Sequence, residues 1–414
     1  MIFPEISPII IYVMLFISLF IACFYLLLLL KKEEMTEPLM EKKDVSFVIP
    51  AKNVAKYIEQ CINTILNQDY EGNINLVIVN DGSTDNTKSI VEEIIKKTKL
   101  SKRKIILLNR ESQGKKVFAV NFGLRYVIKE LKSEYVCVLD ADTFIQKDSI
   151  SKMLPKLNDK TMCVIAPIVP YNRNKILAKL QLIEYIVTFF YRDLISKVKA
   201  LCVSPAFSVF KTEFFVKHGL YDEDNLTEDF EIALRIKKYG YDVDFVNNKC
   251  YTIVPETLRE LKTQRVRWGY GTIDNFMKYR KLVSFRRGMF GTFFLPVNLV
   301  LGLLVLMAAF FLIIYNLAAF LNNAIYLLSI GWKPIFEWNI TFFKIALIFS
   351  DPRLILILLS VIISFFFLYY SYKQQGEKVN LIHYFIFLFI YSLFLAYVHI
   401  EGIIRYIFKI KTNW

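Results

Sequence analysis

The sequence predicts an α/β domain with a mostly parallel, doubly wound sheet, joined to transmembrane helices. Between residues 44 and 139, four strand patterns alternate with three helix patterns, and this alternation is typical of right-handed βαβ units. Long apolar runs lie on both sides of the charged central region, at residues 8–30 and across most of 289–414. The chain of 414 residues is longer than one domain usually requires.

The composition indicates a membrane protein in a reducing compartment. Apolar residues make up 55% of the chain, which is high for a soluble protein. We attribute the net charge of +14 to cytoplasmic loops and to contact with anionic membrane lipid, and we expect no nucleic-acid partner. The six cysteines are scattered without a Cys-x-x-Cys pair, and the three histidines are isolated. These patterns argue against disulfides and against a zinc site.

The first predicted element is a transmembrane helix. Residues 8–30 carry no charge and are long enough to cross a hydrocarbon core of about 30 Å. Lys31 and Lys32 follow this run, so the positive-inside rule places the central domain in the cytoplasm. A cleaved signal peptide would carry positive charges before its apolar run, which this chain lacks. The predicted divisions are an N-terminal transmembrane helix at 1–30, a linker at 31–43, a cytoplasmic domain at 44–257, amphipathic interface helices at 258–288 and a C-terminal transmembrane region at 289–414.

The elements of the central domain follow in order. Apolar runs predict strands at 45–49, 75–79, 104–108 and 135–139. Helical spacing predicts helices at 55–67, 84–97, 116–131, 176–192, 229–239 and 258–281. Less regular patterns predict strands within 162–168 and 201–210. The topology resembles a nucleotide-binding fold, although no Gly-x-Gly-x-x-Gly motif follows the first strand.

The C-terminal region contains three predicted spans, at 289–321, 354–370 and 381–400. Together with the N-terminal helix they place the C-terminus outside, whereas Arg405 and Lys409 favour the cytoplasmic side. Either an additional crossing lies within 324–349, or the last apolar segment is partly interfacial.

Two carboxylates follow the strand predicted at 135–139. This uninterrupted apolar run leads directly into Asp140 and Asp142, and it is typical of a strand buried on both faces. Ligands of open α/β sheets bind beyond the carboxyl ends of the strands. A pair of acids there suits a divalent cation that is shared with substrate phosphates. The alternative is an acidic turn without a ligand.

Polar residues at neighbouring positions extend this predicted crevice. Asp81 ends the second strand and would hydrogen-bond the base or ribose of a nucleotide, and Pro50 and Asn53 follow the first strand at the same rim. Lys115 follows Gly114 at a helix start, where backbone N–H groups and a cation favour phosphate. The alternative is that these residues are ordinary capping residues at the starts of helices, which would explain the same patterns equally well.

Two later segments carry further candidate residues. Thr227, Glu228 and Asp229 begin a helix, and Asp229 is a candidate general base, although a well-capped helix would show the same residues. Gln264 and Arg267 share a helix face at i and i+3, and Trp268 joins them at i+4. An amide, a guanidinium and an indole on one face suit a sugar and a diphosphate. A basic, aromatic helix at the membrane surface is the alternative.

These elements together resemble the membrane-embedded processive glycosyltransferases of family 2. The similarity covers residues 44–275 and is greatest to poly-β-1,6-N-acetylglucosamine synthases, with hyaluronan and chitin synthases more distant. The motifs that carry it are Asp81, Asp140-Ala141-Asp142, Thr227-Glu228-Asp229, Gln264-x-x-Arg267-Trp268, Ile183-Glu184-Tyr185, Val254-Pro255-Glu256-Thr257 and Gly271. The chain departs from the family at Ser204-Pro205-Ala206, where a Ser-Gly pair is common, and after Asn53, where an acid often follows.

The resemblance implies a Rossmann-like nucleotide-diphospho-sugar transferase domain and inverting transfer from a UDP-sugar. Asp140 and Asp142 would hold Mg²⁺ or Mn²⁺, and Asp229 would deprotonate the acceptor with Glu228 beside it. The implied donor-binding residues are Pro50, Asn53, Asp81, Lys115, Asp140, Asp142, Gln264 and Arg267, and the implied acceptor-binding residues are Trp268 and Glu228.

The resemblance also implies that a growing polysaccharide is extruded across the plasma membrane, and it allows for a small membrane accessory subunit. Two rival functions remain open at this stage. One is transfer of a single sugar to a polyprenyl phosphate, and the other is a non-catalytic nucleotide sensor or scaffold.

Overall fold

The computed structural model describes residues 8–31, 42–98, 101–297, 352–378 and 380–410. The chain divides into two units, which comprise Met1–Lys32 with Pro296–Val379 and Glu33–Leu295 with Asn380–Trp414. In the first unit, helices α1 (Pro8–Leu30) and α10 (Pro352–Gln374) pack against each other. The predicted spans at 8–30 and 354–370 therefore coincide with helices. Most of the span predicted at 289–321, and the whole of 324–349, lie outside the described residues.

The second unit contains the central domain. Its strands are β1 (Val45–Ala51), β2 (Ile74–Asp81), β3 (Arg103–Arg110), β4 (Tyr135–Leu139), β5 (Thr143–Ile145), β6 (Thr161–Ile165), β7 (Ile168–Pro170), β8 (Phe207–Lys211), β9 (Asp242–Phe245) and β10 (Cys250–Thr252). Its helices are α2 (Ile58–Leu66), α3 (Thr87–Lys97), α4 (Lys116–Tyr126), α5 (Ser149–Met153), α6 (Ile176–Ser196), α7 (Thr212–His218), α8 (Glu228–Lys238), α9 (Leu258–Lys278), α11 (Leu381–Ile386) and α12 (Ser392–Ile407).

Seven strands form the main sheet in the order β3-β2-β1-β4-β8-β6-β9. Strands β1 to β4 are mutually parallel, and β8 runs antiparallel to both β4 and β6. Side chains of β1 alternate between two apolar cores, with Phe47 and Ile49 on one face and Val48 on the other. The sheet is therefore buried on both faces, as the apolar strand runs predict.

A second sheet of three strands, in the order β5-β10-β7, lies beside the end of β4. Its existence is not predicted by the sequence. The expected strand at 162–168 is instead divided at Ala166 and Pro167 between β6 in the main sheet and β7 in the small one. The expected strand at 201–210 is shorter, because β8 begins at Phe207 after Pro205, which has no N–H to donate to a sheet.

One helix among the described residues has the length and apolar composition needed to cross a bilayer. It comprises Leu381–Ile407, which includes α11, α12 and a π-helical turn at Phe387–Tyr391 between them. This apolar helix packs along α9. A carbon added as Cβ to Gly402 would lie 3.0 Å from the carbonyl oxygen of Val266, so the two helix backbones approach closely at this glycine.

Candidate active site

Asp140 and Asp142 lie at the carboxyl end of β4, as the sequence predicts. The N–H of Asp140 donates to the carbonyl of Ala206 at 3.1 Å, and its own carbonyl accepts from the N–H of Thr143 at 3.0 Å. The Thr252 hydroxyl in β10 lies 3.5 Å from Oδ1 of Asp142. The small sheet therefore supports the second carboxylate, and the turn after β4 presents both half-buried acids at the sheet edge.

The electrostatics of this pair suit a cation. Burial, together with the charge of Asp140, raises the pKa of Asp142 to about 6, because neighbouring carboxylates repel each other. Among the described residues, no cluster of three or more His, Cys, Asp or Glu side chains is arranged to hold a metal. Two carboxylates that share a cation with bound phosphates need no third protein ligand. The residues present therefore fit a divalent ion held jointly with a diphosphate.

Lys116 connects the acids of β4 with those of α8. Its ammonium group forms an ion pair with Oδ1 of Asp140. Burial alone would lower the pKa of Lys116, but the charges of Asp140, Glu228 and Asp229 outweigh burial and raise it. One cation thus interacts with the carboxylates of both acidic motifs.

Lys115, the lysine predicted to bind the donor, has a different environment. Its Nζ donates to the carbonyl of Glu223 at 2.9 Å and lies 4.0 Å from a carboxylate oxygen of Asp224. Successive residues at a helix start point about 100° apart, so the two adjacent lysines reach different neighbours. The sequence indicates a lysine at this helix start but does not indicate which of the two approaches the acids of β4.

Glu228 and Asp229 occupy the first turn of α8. Burial and the charge of Asp229 raise the pKa of Glu228 to about 7. Burial also raises the pKa of Asp229, although the positive charges of Arg267 and Lys116 oppose this shift. The sequence does not show whether the pKa of Asp229 is raised or lowered. In the structure burial is the dominant effect and raises it.

Thr227 precedes this turn, but its hydroxyl does not cap the helix. It accepts a hydrogen bond from Nδ2 of Asn275 in α9 at 2.9 Å. Asn225 accepts from the N–H of Thr227 at 2.9 Å and donates to Oδ1 of Asn275 at 2.8 Å. Both asparagines are buried. The capping interpretation of Thr227 is therefore wrong for its side chain, which instead anchors the acidic motif to α9.

We expect Gly271→Ala to slow the reaction catalysed at this site by displacing Thr227. A methyl group on Gly271 would lie 2.3 Å from Oγ1 of Thr227, closer than nonbonded atoms approach. Overpacking of this kind costs about 1–3 kcal/mol and shifts backbone, so the thermal unfolding midpoint should fall together with the rate. Gly269→Ala is the matched control, because its methyl would meet ordinary contacts at 3.6 Å. Equal activity of the two variants would contradict the anchoring of Thr227.

The segment Gln264–Trp268 divides its side chains between two environments. The positive charge of Arg267 lowers the pKa of both Glu228 and Asp229 and so opposes the effect of burial at the start of α8. Gln264 and Trp268 both contact Arg265, whose guanidinium carbon is 4.1 Å from the indole centroid. Arg265 is not among the residues predicted from the sequence, although it lies inside the motif.

Asp81 is buried at the carboxyl end of β2. Its carboxylate lies 3.1 Å from Nε of Arg110 and accepts a hydrogen bond from Ser112 at 2.9 Å. Lys52 in turn donates to the Ser112 hydroxyl at 2.9 Å. Arg110 ends β3, Ser112 follows it and Lys52 follows β1, so no spacing pattern in the sequence joins these residues to Asp81.

Pro50 and Asn53 lie at the end of β1, next to the end of β2. Asn53 has a φ of +53°, a conformation that asparagine tolerates better than most residues. Its side-chain oxygen accepts from the N–H of Thr84 at 2.8 Å. Asn53 thereby ties the loop after β1 to the loop after β2, which forms the rim predicted for these residues.

Arg192 on α6 is a further cation whose charge interacts with that of Asp229 in α8. Burial lowers its pKa to about 10, and the charge of Asp229 opposes that shift. Its guanidinium carbon lies 4.5 Å from the ring centroid of Phe189. Nothing in the helical pattern of this segment distinguishes Arg192 from a surface residue.

The sequence is similar to those of known glycosyltransferases. The sequence matches the profile of Glycosyl transferase family 2 over residues 46–219 and that of Glycosyl transferase family group 2 over residues 135–398. Poly-beta-1,6-N-acetyl-D-glucosamine synthase from Staphylococcus epidermidis is 30% identical over 250 residues, which cover 59% of this chain and 57% of the relative. The synthase from Staphylococcus aureus (strain COL) is 32% identical over 236 residues, with 56% and 55% covered. The chain thus spans little more than half the length of these curated relatives.

A mannosyltransferase from Pyrobaculum calidifontis, solved in complex with GDP-Man and Mn²⁺, shares the fold. The structures align with a TM-score of 0.63 over 97% of this chain and 99% of the other, at 19% sequence identity. The predicted Rossmann-like nucleotide-sugar transferase fold with a mostly parallel sheet is therefore confirmed. The group 2 profile matches more than half of the 414 residues, and we conclude that this protein belongs to Glycosyl transferase family group 2.

Proposed function

We propose that this protein is a processive, inverting β-glycosyltransferase that polymerises a UDP-sugar, with UDP-N-acetylglucosamine as the first candidate donor. The observation that carries the transfer step is the position of Lys116, which forms an ion pair with Asp140 and whose pKa is also raised by the charges of Glu228 and Asp229. A donor diphosphate at Asp140 and an acceptor hydroxyl at Asp229 would then be neighbours, which is what direct transfer requires. The similarity to poly-β-1,6-N-acetylglucosamine synthases supports the choice of sugar.

In the proposed reaction, Asp229 takes the proton from the acceptor hydroxyl as that oxygen bonds to the anomeric carbon of the donor. The bond from this carbon to the nucleoside diphosphate breaks on the opposite face, so the configuration inverts without a covalent enzyme intermediate. Glu228, with a pKa of about 7, is partly protonated at neutral pH and would donate a hydrogen bond to the acceptor sugar.

The donor is held by residues at the ends of three strands and on α9. Asp81 and the rim formed by Pro50 and Asn53 would bind the nucleoside, while Arg267 would bind the diphosphate bidentately. Mg²⁺ or Mn²⁺, held by Asp140 and Asp142, would supply Lewis-acid stabilisation of the leaving diphosphate. Trp268 would stack against the acceptor sugar.

We further propose that the catalytic domain is cytoplasmic and anchored in the plasma membrane. The charged ends of the apolar segments support this orientation. The apolar helix Leu381–Ile407 lies directly against α9, so a membrane helix would adjoin the acceptor site. Extrusion of the product through the same protein would explain this arrangement.

Product size tests the proposal directly. The purified full chain would be incubated with one radiolabelled UDP-sugar at a time, and in a separate reaction with GDP-mannose. Each reaction would be run with and without Mn²⁺. We expect polymer on a gel from one UDP-sugar. A lipid-linked monosaccharide as the sole product would support single-sugar transfer instead. That second candidate is retained because the match to polymer synthases covers little more than half of their length. Absence of any nucleotide release would support a sensor or scaffold.

A further inference from the structure

Arg265 is the largest fully buried side chain among the described residues, with a relative exposure of 0%. A buried guanidinium is costly unless its N–H groups are paired. One terminal nitrogen donates to Oε2 of Glu184 in α6 at 2.8 Å, and the other donates to Oε1 of Gln264. Its guanidinium carbon lies 4.1 Å from the ring centroid of Trp268. The same group thus contacts Gln264 and Trp268, two of the three α9 side chains that the sequence indicates as substrate-binding residues.

The partner of Arg265 is itself held by the apolar helix Leu381–Ile407. Oε2 of Glu184 accepts a second hydrogen bond from the hydroxyl of Tyr391, at 2.6 Å. Tyr391 is buried and closes the π-helical turn at Phe387–Tyr391. Glu184 and Tyr391 are 207 positions apart in the sequence. Three elements, α6, α9 and the apolar helix, therefore meet at one half-buried carboxylate.

We propose that Arg265 is a positioning residue that orients Gln264 and Trp268 for substrate, and that Glu184 and Tyr391 fix its own position. This inference rests on the proposed glycosyl transfer. Arg265 offers hydrogen-bond donors and no acceptor. Gln264 must therefore turn its oxygen toward Arg265, which leaves its NH₂ group to donate to an oxygen of the substrate. The planar guanidinium also covers one face of the Trp268 indole and fixes the plane of the ring.

The substitution Arg265→Lys separates this positioning role from a merely structural one. Lysine keeps the positive charge opposite Glu184 but lacks the planar fork that serves Gln264 and Trp268 at the same time. Tyr391→Phe removes a single hydroxyl and leaves the apolar contacts of the ring. Arg259→Lys is the matched control, because Arg259 lies on the same helix and is exposed. All variants are made in the full chain, with Trp332, Trp338 and Trp414 replaced by Phe so that Trp268 is the sole tryptophan.

We expect Arg265→Lys to lower kcat by about tenfold while the KM for the nucleotide sugar changes less than about twofold, because Asp81 and the acids of β4 stay intact. Acrylamide quenching of Trp268 fluorescence should increase at least about twofold as the indole loses its support. Tyr391→Phe should change kcat and quenching in the same direction by a smaller factor. Its effect should largely disappear in the double variant, because Tyr391 acts on the site only through Glu184 and Arg265.

Wild-type kcat and wild-type quenching in Arg265→Lys would overturn the inference. So would full additivity of the two substitutions, or equal effects from Arg259→Lys. The quenching measurement needs no substrate. If the wild-type protein releases no nucleotide from any sugar donor, the proposed function fails while the positioning of Trp268 is still tested.

Discussion

We expect Asp229→Asn to lower the rate of sugar transfer by about 10²- to 10⁴-fold, the range over which a general base contributes to catalysis. Asparagine has nearly the same shape as aspartate but cannot accept the proton of the acceptor hydroxyl. The donor-binding residues of β2 and β4 are unchanged, so the KM for the nucleotide sugar should stay close to the wild-type value. Nucleotide release by the purified full chain, measured with saturating acceptor, gives both constants.

Asp224→Asn is the control for this substitution, because the Asp224 side chain is fully exposed and only five positions away. The pH profile provides a second control. Burial raises the pKa of Asp229 above the usual value of an aspartate. The base must be ionised to work, so wild-type activity should begin to fall on acidification at a higher pH than an ordinary aspartate would produce. A wild-type rate in Asp229→Asn would show that another group removes the proton.

The second large effect is expected from Asp142→Asn. This change removes one of the two charges that would hold the divalent ion, and we expect transfer to fall by about a hundredfold or more, with a weaker metal dependence. Chelation should likewise abolish wild-type activity, and added Mg²⁺ or Mn²⁺ should restore it. The measurement is a titration of activity with each metal in wild type and variant.

Asp159→Asn is the matched control, because the Asp159 side chain is fully exposed and paired with Lys211. This variant should follow the wild-type metal titration. A chelated wild-type enzyme that keeps its full rate would contradict the assignment of Asp142 as a metal ligand. An unchanged metal requirement in Asp142→Asn would contradict it as well.

The fold follows from local patterns over much of the central domain. Strands β1, β2 and β4 are predicted directly from their apolar runs, because strands buried on both faces need continuous apolar residues. Helix α9 is likewise predicted from its spacing. A strand overlapping β8 is predicted, but its antiparallel pairing and the small sheet are not, since the pairing of a short strand depends on distant segments. The divided strands β6 and β7 illustrate the same limit.

The candidate site shows the same division between local and distant information. The carboxylates Asp140 and Asp142 are predicted because their position after a buried strand is a local feature. Asp140 pairs with Lys116 and not with Lys115. Which lysine reaches Asp140 depends on how helix α4 is rotated relative to β4, and the sequence does not specify that rotation. The bond from Thr227 to Asn275 crosses 48 positions, so the local motif suggests a helix cap instead.

The sequence by itself determined the class of the fold, the order of its main elements and the acidic and aromatic residues at the site. These properties depend on residue type and periodicity over a few turns or one strand. Only the tertiary structure decided which charges face one another, including the contact of Arg265 with Glu184 and of Glu184 with Tyr391. Such contacts join residues far apart in the chain, and their geometry is set by how helices and sheet pack.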